Sequence, residues 1–202
     1  MQETEVKFYI EDLNRLKTRL EELGARLIQE RVLEMNLRFD LPDASLRAAG
    51  RVLRLRQDTA TRLTYKSASQ KEDGILSREE IEFVVEDFDK AKRFLEALGY
   101  RKLVYYEKYR TVYELNETHI MLDELPYGSF VEIEGESAGL IHSAADQLNL
   151  TWKVAVGTSY LALFERVRDA LNLPFQDLSF ANFVDIKADV SHLKVYAADN
   201  ST

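Results

Sequence analysis

Polar and apolar residues alternate along several short segments of the chain, and this alternation predicts β-strands with one charged and one apolar face. In the first segment, Glu3, Glu5 and Lys7 occupy every second position. Val6 and Phe8 have the opposite parity. Successive side chains of a strand point to opposite faces, so the three charges share one face. That face either meets water, as in an ordinary edge strand, or lines an interior that needs charge.

The same alternation recurs along the chain and predicts a sheet of about eight strands. Two long strands are expected near residues 26–40 and 101–115. Shorter strands are expected at residues 51–56, 61–66, 78–82, 119–123 and 129–134. Most of these segments follow one another closely, with a turn signal at Asp73-Gly74, so sequential antiparallel hairpins are predicted.

An internal repeat relates two parts of the chain at an offset of 75 residues. Both copies have a charged strand, a helix with apolar residues at helical spacing, and a long strand. Asp12 aligns with Asp87, and Gly24 with Gly99, where each glycine suits the C-terminal cap of a helix. The pattern predicts a duplicated strand-helix-strand unit. Helices are expected near residues 11–23, 87–98, 137–149 and 159–171.

The composition is that of a globular protein, with 46% hydrophobic and 31% charged residues among 202. We expect one domain over residues 1–172, and an apolar extension over residues 173–202 that packs on it or on a partner subunit of a homodimer. The absence of cysteine excludes disulfide and thiolate chemistry. No signal peptide or run of about 18 apolar residues is found, so we predict a cytoplasmic protein without membrane contact. The net charge of −8 argues against nonspecific nucleic-acid binding.

The charges on the predicted strands form a cationic and an anionic group. The cationic group comprises Arg54, Arg56, Lys66, Lys108 and Arg110, and the anionic group Glu3, Glu5, Asp123, Glu132 and Glu134. A closed sheet of about eight antiparallel strands can enclose a wet interior. Such an interior suits a linear polyphosphate held by Arg and Lys, with Mg²⁺ or Mn²⁺ held by carboxylates. We therefore predict an α+β fold: a closed, eight-stranded antiparallel β-barrel around a charged tunnel, with helices outside.

Six motifs follow one another along the chain. They are Glu3-x-Glu5-x-Lys7, Leu53-Arg54-Leu55-Arg56, Lys66, Arg78-x-Glu80-x-Glu82, Lys108-x-Arg110, and Leu122-Asp123 followed by Gly128-x-Phe130-x-Glu132-Ile133-Glu134. Together they resemble the CYTH superfamily of triphosphate tunnel metalloenzymes, from about residue 2 to about residue 166. This superfamily includes class IV adenylyl cyclases (CyaB-like proteins), thiamine triphosphatases and inorganic triphosphatases.

The resemblance implies a role for most of these charged side chains and a small-molecule triphosphate as the partner. The implied triphosphate ligands are Lys7, Arg54, Arg56, Lys66, Lys108 and Arg110. The implied ligands of Mg²⁺ or Mn²⁺ are Glu3, Glu5, Glu132 and Glu134, with Asp123 as a further candidate. The resemblance also places Arg78, Glu80 and Glu82 on the tunnel wall, without assigning them a single role. For Glu82, an ion pair with Lys7 across the tunnel is the alternative to a metal role. The general base is not identified.

The segment before Arg54 bears on the reaction. Bacterial cyclases of this superfamily carry a Tyr-Phe pair, a proline and an Arg-Asp-Phe element there, whereas this chain has Phe39-Asp40-Leu41-Pro42-Asp43. The resemblance therefore favours a metal-dependent hydrolase of inorganic tripolyphosphate or of an organic triphosphate such as thiamine triphosphate. A class IV adenylyl cyclase that makes cyclic AMP and pyrophosphate from ATP stays open as an alternative. So does a non-catalytic sensor that binds polyphosphate or nucleotides.

Overall fold

The computed structural model describes residues 2–200, so residue 1 and residues 201–202 of the two predicted domains lie outside the described part. The strands are β1 (Gln2–Ile10), β2 (Arg26–Asp40), β3 (Val52–Gln57), β4 (Thr61–Lys66), β5 (Gln70–Glu72), β6 (Ile75–Val85), β7 (Arg101–Leu115), β8 (Thr118–Leu125) and β9 (Gly128–Gly135). The helices are α1 (Leu13–Glu22), α2 (Ser45–Ala48), α3 (Phe88–Ala97), α4 (Ala138–Gln147), α5 (Tyr160–Leu171) and α6 (Val190–Leu193). Short 3₁₀ turns lie at Trp152–Val154 and Ala181–Phe183.

Eight of these strands form a closed antiparallel ring. Its order is β1-β9-β8-β7-β2-β3-β4-β6, and β6 pairs in turn with β1. The ring closes where Glu3 lies opposite Arg78 and Glu5 lies opposite Leu76. The three-residue strand β5 pairs only with the start of β6 and was not predicted. The predicted α+β fold with a closed ring of eight strands is confirmed.

The internal repeat is visible in the bounds of the elements. Helices α1 and α3 begin 75 residues apart and end 75 residues apart, and so do strands β2 and β7. The Asp12 carboxylate accepts hydrogen bonds from backbone N–H groups at the start of α1, and Asp87 does the same at the start of α3. Gly24 and Gly99 follow the helices with φ angles of +72° and +94°, a left-handed conformation that favours glycine. The predicted duplication is confirmed.

The hydrophobic cores lie outside the ring, between the strands and the helices. Val6 and Phe8 of β1 point outward into a cluster with Leu20 of α1 and Ile141 of α4. A second cluster joins β9, α5 and residues beyond 172, and a third joins β2 and β3 to Leu95 of α3. Because the apolar faces of the strands are used in this way, their charged faces point into the ring.

The two copies of the repeat are covered to different extents. Phe8 and Phe83 occupy equivalent positions, 75 residues apart, on β1 and β6. Phe8 is 0% exposed and packs edge-to-face on Trp152, with 5.7 Å between ring centroids. Phe83 is 53% exposed, and its neighbour Ile81 is 51% exposed. The outer face of β6 therefore stays open to solvent while that of β1 is part of a core.

Residues 173–200 run along the outside of the ring and hydrogen-bond to two strands. The Leu178 N–H donates to the Tyr105 carbonyl oxygen (2.9 Å), and the Ala198 N–H donates to the Tyr9 carbonyl oxygen (3.0 Å). Leu178 and Ala198 are fully buried. In the structure this segment thus packs on the outside of the ring. A contact with a partner subunit and the domain boundary at residue 172 stay predictions.

Candidate active site

The ring encloses a cavity of about 1160 Å³, and just over half of the residues that line it are charged. Of the predicted site residues, only Asp123 lies behind the wall, with no exposed surface. The others line the cavity: Glu3, Glu5, Lys7, Arg54, Arg56, Lys66, Arg78, Glu80, Glu82, Lys108, Arg110, Glu132 and Glu134. The alternation along the strands therefore brings the separate motifs of the sequence to one site.

Asp123 holds two of the cations from behind. Its carboxylate accepts two hydrogen bonds from the Arg110 guanidinium, both of 2.6 Å, and one of 2.9 Å from Lys108 Nζ. Paired contacts of this kind fix the plane of a guanidinium as well as its position. The carboxylate oxygens of Asp123 are thus occupied by cations that themselves face the cavity.

Glu132 lies between two further cations on the cavity wall. Its carboxylate is 3.1 Å from Lys7 Nζ and accepts a hydrogen bond of 2.6 Å from Arg110. Burial opposes ionisation of Glu132, but Lys7, Lys108 and Arg110 together hold its pKa well below the ordinary value. Glu132 is therefore ionised and acts as the counterion of these cations in the structure.

Glu34 of β2 belongs to the same cluster and was not predicted. It is 1% exposed, and its carboxylate lies 3.7 Å from Arg56, 3.8 Å from Lys108 and 3.9 Å from Arg110. Burial raises its pKa, but the surrounding cations outweigh burial and lower it well below 4.5. Glu34 and Arg38 share one parity of β2 and both line the cavity. The alternation used for the other strands was the signal that could have found them.

Strand β3, the neighbour of β2 in the ring, carries arginines that pair with Glu82 of β6. Arg56 donates a hydrogen bond of 2.9 Å to Glu82, and Arg54 lies 3.5 Å from the same carboxylate. Glu82 therefore pairs with arginines, and the predicted alternative of an ion pair with Lys7 is wrong. The Nε atoms of Arg38 and Arg54 are buried without a hydrogen-bond partner among residues 2–200, and Arg56 Nε lies 3.5 Å from the Asp58 carboxylate.

Carboxylates gather where β1, β9 and β6 meet. Glu3 contacts Lys66 and accepts a hydrogen bond of 2.8 Å from Arg78. Burial raises the pKa of Glu3, yet these cations lower it to about 2. Glu5 lies opposite Glu134 in the register of β1 and β9. Burial, together with the charges of nearby carboxylates, raises the pKa of Glu5 and raises that of Glu134 from 4.5 to about 7.

The chemistry of these acidic side chains fits a hard divalent cation. Within residues 2–200, Glu134 makes no hydrogen bond or ion pair, and its neighbour Glu5 has one distant contact, 3.7 Å from Arg78. Like charges that raise each other's pKa values are relieved by a cation bound between them. No three Asp, Glu or His side chains of the described part are arranged to hold a metal ion as they stand.

Residues 1–150 match the family model of the CYTH domain, and the chain belongs to this family. A candidate adenylate cyclase of Methanocaldococcus jannaschii is 31% identical over 137 residues, which cover 66% of this chain and 77% of that protein. Adenylate cyclase CyaB of Aeromonas hydrophila is 29% identical over 135 residues, which cover 65% of this chain and 67% of that protein.

Solved structures share the fold. The structure of a candidate adenylate cyclase from Vibrio parahaemolyticus matches with a TM-score of 0.72 and 20% identity, covering 81% of this chain and 97% of that one. A candidate adenylyl cyclase from Hippeastrum, described as having a dominant triphosphatase activity, matches with a TM-score of 0.60 and 19% identity, covering 81% and 95%. Among residues 2–200, none of the helices has the length and apolar character to span a bilayer.

Proposed function

We propose that this protein is a metal-dependent hydrolase of triphosphates, acting on inorganic tripolyphosphate or on an organic triphosphate such as thiamine triphosphate. The observation that carries the proposal is the distribution of charge in one cavity. Six predicted Lys and Arg side chains converge there, while Glu134 has no ionic partner among residues 2–200. Members of the CYTH family are enzymes, and the Hippeastrum protein, which shares the fold, is described as a triphosphatase.

In this proposal, the Lys and Arg side chains of the cavity exchange their carboxylate partners for phosphate oxygens when the substrate binds. Lys7 and Arg110 share Glu132, and Lys66 contacts Glu3. A triphosphate carries several negative charges, and its oxygens match guanidinium and ammonium donors. Phosphate oxygens can therefore replace the carboxylates without leaving a buried cation unpaired, which would be costly.

Asp123 has a different role in this proposal from the metal role that the resemblance implies. It is 0% exposed, and its oxygens accept hydrogen bonds from Lys108 and Arg110. We infer that Asp123 orients these two cations toward the phosphates and does not bind the metal. The exchange of partners leaves Asp123 in place, because it reaches the cations from the side away from the cavity.

We propose that Mg²⁺ or Mn²⁺ binds to the carboxylates of Glu5 and Glu134, with those of Glu3 and Glu132 beside them. Carboxylate oxygens are the ligands that these metal ions prefer. When the Lys and Arg side chains pair with phosphate, Glu3 and Glu132 become free to bind the metal. When bound, the metal supplies charge neutralisation at the phosphates and a water of lowered pKa. The chain itself binds the triphosphate, aligns it along the cations and holds the carboxylates close to the phosphates.

An adenylate cyclase that makes cyclic AMP and pyrophosphate from ATP is the second candidate, because two relatives carry that name. The segment in which the superfamily's cyclases carry Arg-Asp-Phe forms local structure here. Asp40 is buried and accepts hydrogen bonds of 2.9 Å from the backbone N–H groups of Leu46 and Arg47. Residues 39–43 contribute no side chain to the cavity wall. This supports hydrolysis over cyclisation, which needs a pocket for adenine.

The test is a screen of the purified chain with tripolyphosphate, thiamine triphosphate and ATP, in Mg²⁺ or Mn²⁺, with the products resolved by chromatography. We expect phosphate release from at least one of these substrates and complete loss of turnover with EDTA. Cyclic AMP and pyrophosphate as the main products of ATP would instead establish the cyclase. Tight binding of tripolyphosphate without any product would favour a sensor.

A further inference from the structure

Tyr160 reaches the cation cluster from outside the strands. It is the first residue of helix α5 and follows the residues that match the CYTH family model, 1–150. Its side chain is 8% exposed and lines the cavity. No strand motif includes it, and the sequence offered no reason to assign it to the site.

The position of the Tyr160 ring is fixed by contacts on several sides. Its hydroxyl donates a hydrogen bond of 2.8 Å to Asp123, the residue that orients Lys108 and Arg110. Its carbonyl oxygen accepts a hydrogen bond of 2.7 Å from the Tyr127 hydroxyl. Its ring packs edge-to-face on Phe130, with 5.1 Å between centroids. A ring held in this way is a rigid surface within a wall of long, flexible side chains.

Two cations of the cavity lie over this ring. Lys7 Nζ is 3.9 Å from the ring centroid, and Lys108 Nζ is 5.1 Å from it. Both distances are within the range at which an aromatic face attracts an ammonium group. Lys7 and Lys108 are themselves buried, 6% and 3% exposed, so water screens this attraction little. A lysine has several rotatable bonds, and a rigid aromatic face restricts where its ammonium group lies.

We propose that Tyr160 is a positioning residue for phosphate binding, whose ring holds the ammonium groups of Lys7 and Lys108 together on one side of the cavity. This inference rests on the proposed function, in which these lysines bind the triphosphate. In this proposal the ring acts on the substrate through the two lysines. When phosphate oxygens replace Glu132 as the partner of Lys7, the ring keeps the ammonium group in place during the exchange.

The test is calorimetric titration with inorganic tripolyphosphate in EDTA, so that binding is measured without turnover. Tyr160→Leu removes the ring, and we expect an affinity two- to thirtyfold weaker than that of the wild type, as for loss of a partly desolvated cation–π contact. Tyr160→Phe keeps the ring, and we expect its affinity to stay within about threefold of that of the wild type. Tyr160→Met, which fills similar volume, serves if the Leu variant does not fold.

Two further measurements separate positioning from general stability. In a Lys7→Met background, Tyr160→Leu should weaken binding much less than in the wild type, because one of its two targets is gone. Phe164→Leu, on the same helix and 2% exposed in the core, is the matched control. We expect Phe164→Leu to lower the melting temperature and leave the affinity unchanged.

The outcomes distinguish this inference from the proposed function. Wild-type protein that fails to bind tripolyphosphate would overturn the proposed function, and the inference with it. Tight binding by the wild type together with unchanged binding by Tyr160→Leu or Tyr160→Met would overturn the inference alone. An equal effect of Tyr160→Leu with and without Lys7 would also refute it.

Discussion

Replacement of Glu134 by Gln tests the charge of the acidic side of the cavity, since the amide keeps the size of the side chain and removes its negative charge. Burial, together with the charges of Glu3 and Glu5, raises the pKa of Glu134 from 4.5 to about 7. Glu134 has no hydrogen bond or ion pair within residues 2–200 that would compensate. In the metal-free protein, its ionised form should therefore destabilise the fold.

The sign and size of this destabilisation follow from the difference in proton binding between the folded and the unfolded protein. Between pH 4.5 and about 7, the folded protein keeps a proton on Glu134 that the unfolded chain has lost. The free energy of unfolding therefore falls as the pH rises through this window. Above pH 7, the loss of stability caused by ionised Glu134 is complete. At about 1.4 kcal/mol per pH unit, the rise from 4.5 to about 7 sets an upper limit of about 3 kcal/mol. Partial exposure of Glu134 to solvent reduces this to about 1–2 kcal/mol.

Urea unfolding at pH 5 and pH 8, in EDTA, measures this directly. We expect Glu134→Gln to be about 1–2 kcal/mol more stable than the wild type at pH 8, and to differ from it by less than about 0.5 kcal/mol at pH 5. Glu136→Gln, at an exposed position two residues further, is the control and should show no such dependence on pH. A Glu134→Gln variant that is less stable than the wild type at pH 8, or equally stabilised at both pH values, would refute the reasoning.

Addition of Mg²⁺ to the same samples tests the proposed metal site separately from the destabilisation by ionised Glu134. A ligand that binds only the folded state, present at about ten times its dissociation constant, raises the free energy of unfolding by about 1.4 kcal/mol. We expect Mg²⁺ to stabilise the wild type at pH 8 and to leave Glu134→Gln unchanged. A wild type that does not respond to Mg²⁺ would argue against the metal site even if the dependence on pH is as expected.

Three further changes test other parts of the structure. Arg56→Ala should weaken tripolyphosphate binding by about ten- to a hundredfold in titration calorimetry, because a charge-assisted contact is lost, whereas exposed Arg93→Ala should not change it. Glu34→Gln should lower the free energy of unfolding more at pH 7 than at pH 3, since its lowered pKa makes its ionised form stabilising and this contribution is lost with acid; an equal loss at both pH values would contradict this. Phe8→Ala should cost about 3–5 kcal/mol in urea unfolding and Phe83→Ala less than about 1 kcal/mol, because Phe8 is buried and Phe83 exposed; similar costs would show that the outer face of β6 is covered in solution.

The fold could be predicted largely because two simple patterns coincide in this sequence. Alternation at period two identified the strands, and the offset of 75 residues identified the unit that repeats. Gly24 and Gly99 mark the ends of α1 and α3 for a local reason, the left-handed backbone that glycine adopts easily. Strand β5 was missed because its three residues are too few to show a period. Its place depends on pairing with β6, which local sequence does not encode.

The site could be predicted only where the charges lie on strands. Closure of the ring brings distant strand residues together, so Glu3 meets Arg78 across β1 and β6. Glu34 and Arg38 obey the same alternation but were hidden within a strand noted only for its length. Tyr160 has no signal of this kind, because a helix outside the ring delivers it. Contacts of a residue at a helix terminus depend on how the helix docks, which is a tertiary property.

The difference in accessibility among the carboxylates explains how one cavity holds both signs of charge. Buried cations need counterions at all times, since an unpaired charge in the interior is strongly destabilising. Asp123 and Glu34, 0% and 1% exposed, meet this need from behind the wall and within it. Glu3 and Glu132, 7% and 6% exposed, do so from the cavity surface, where a phosphate can replace them. In the proposed mechanism, the first pair keeps the cations in position while phosphate frees the second pair. The carboxylates freed in this way would then be available, with Glu134, for the divalent cation that we propose.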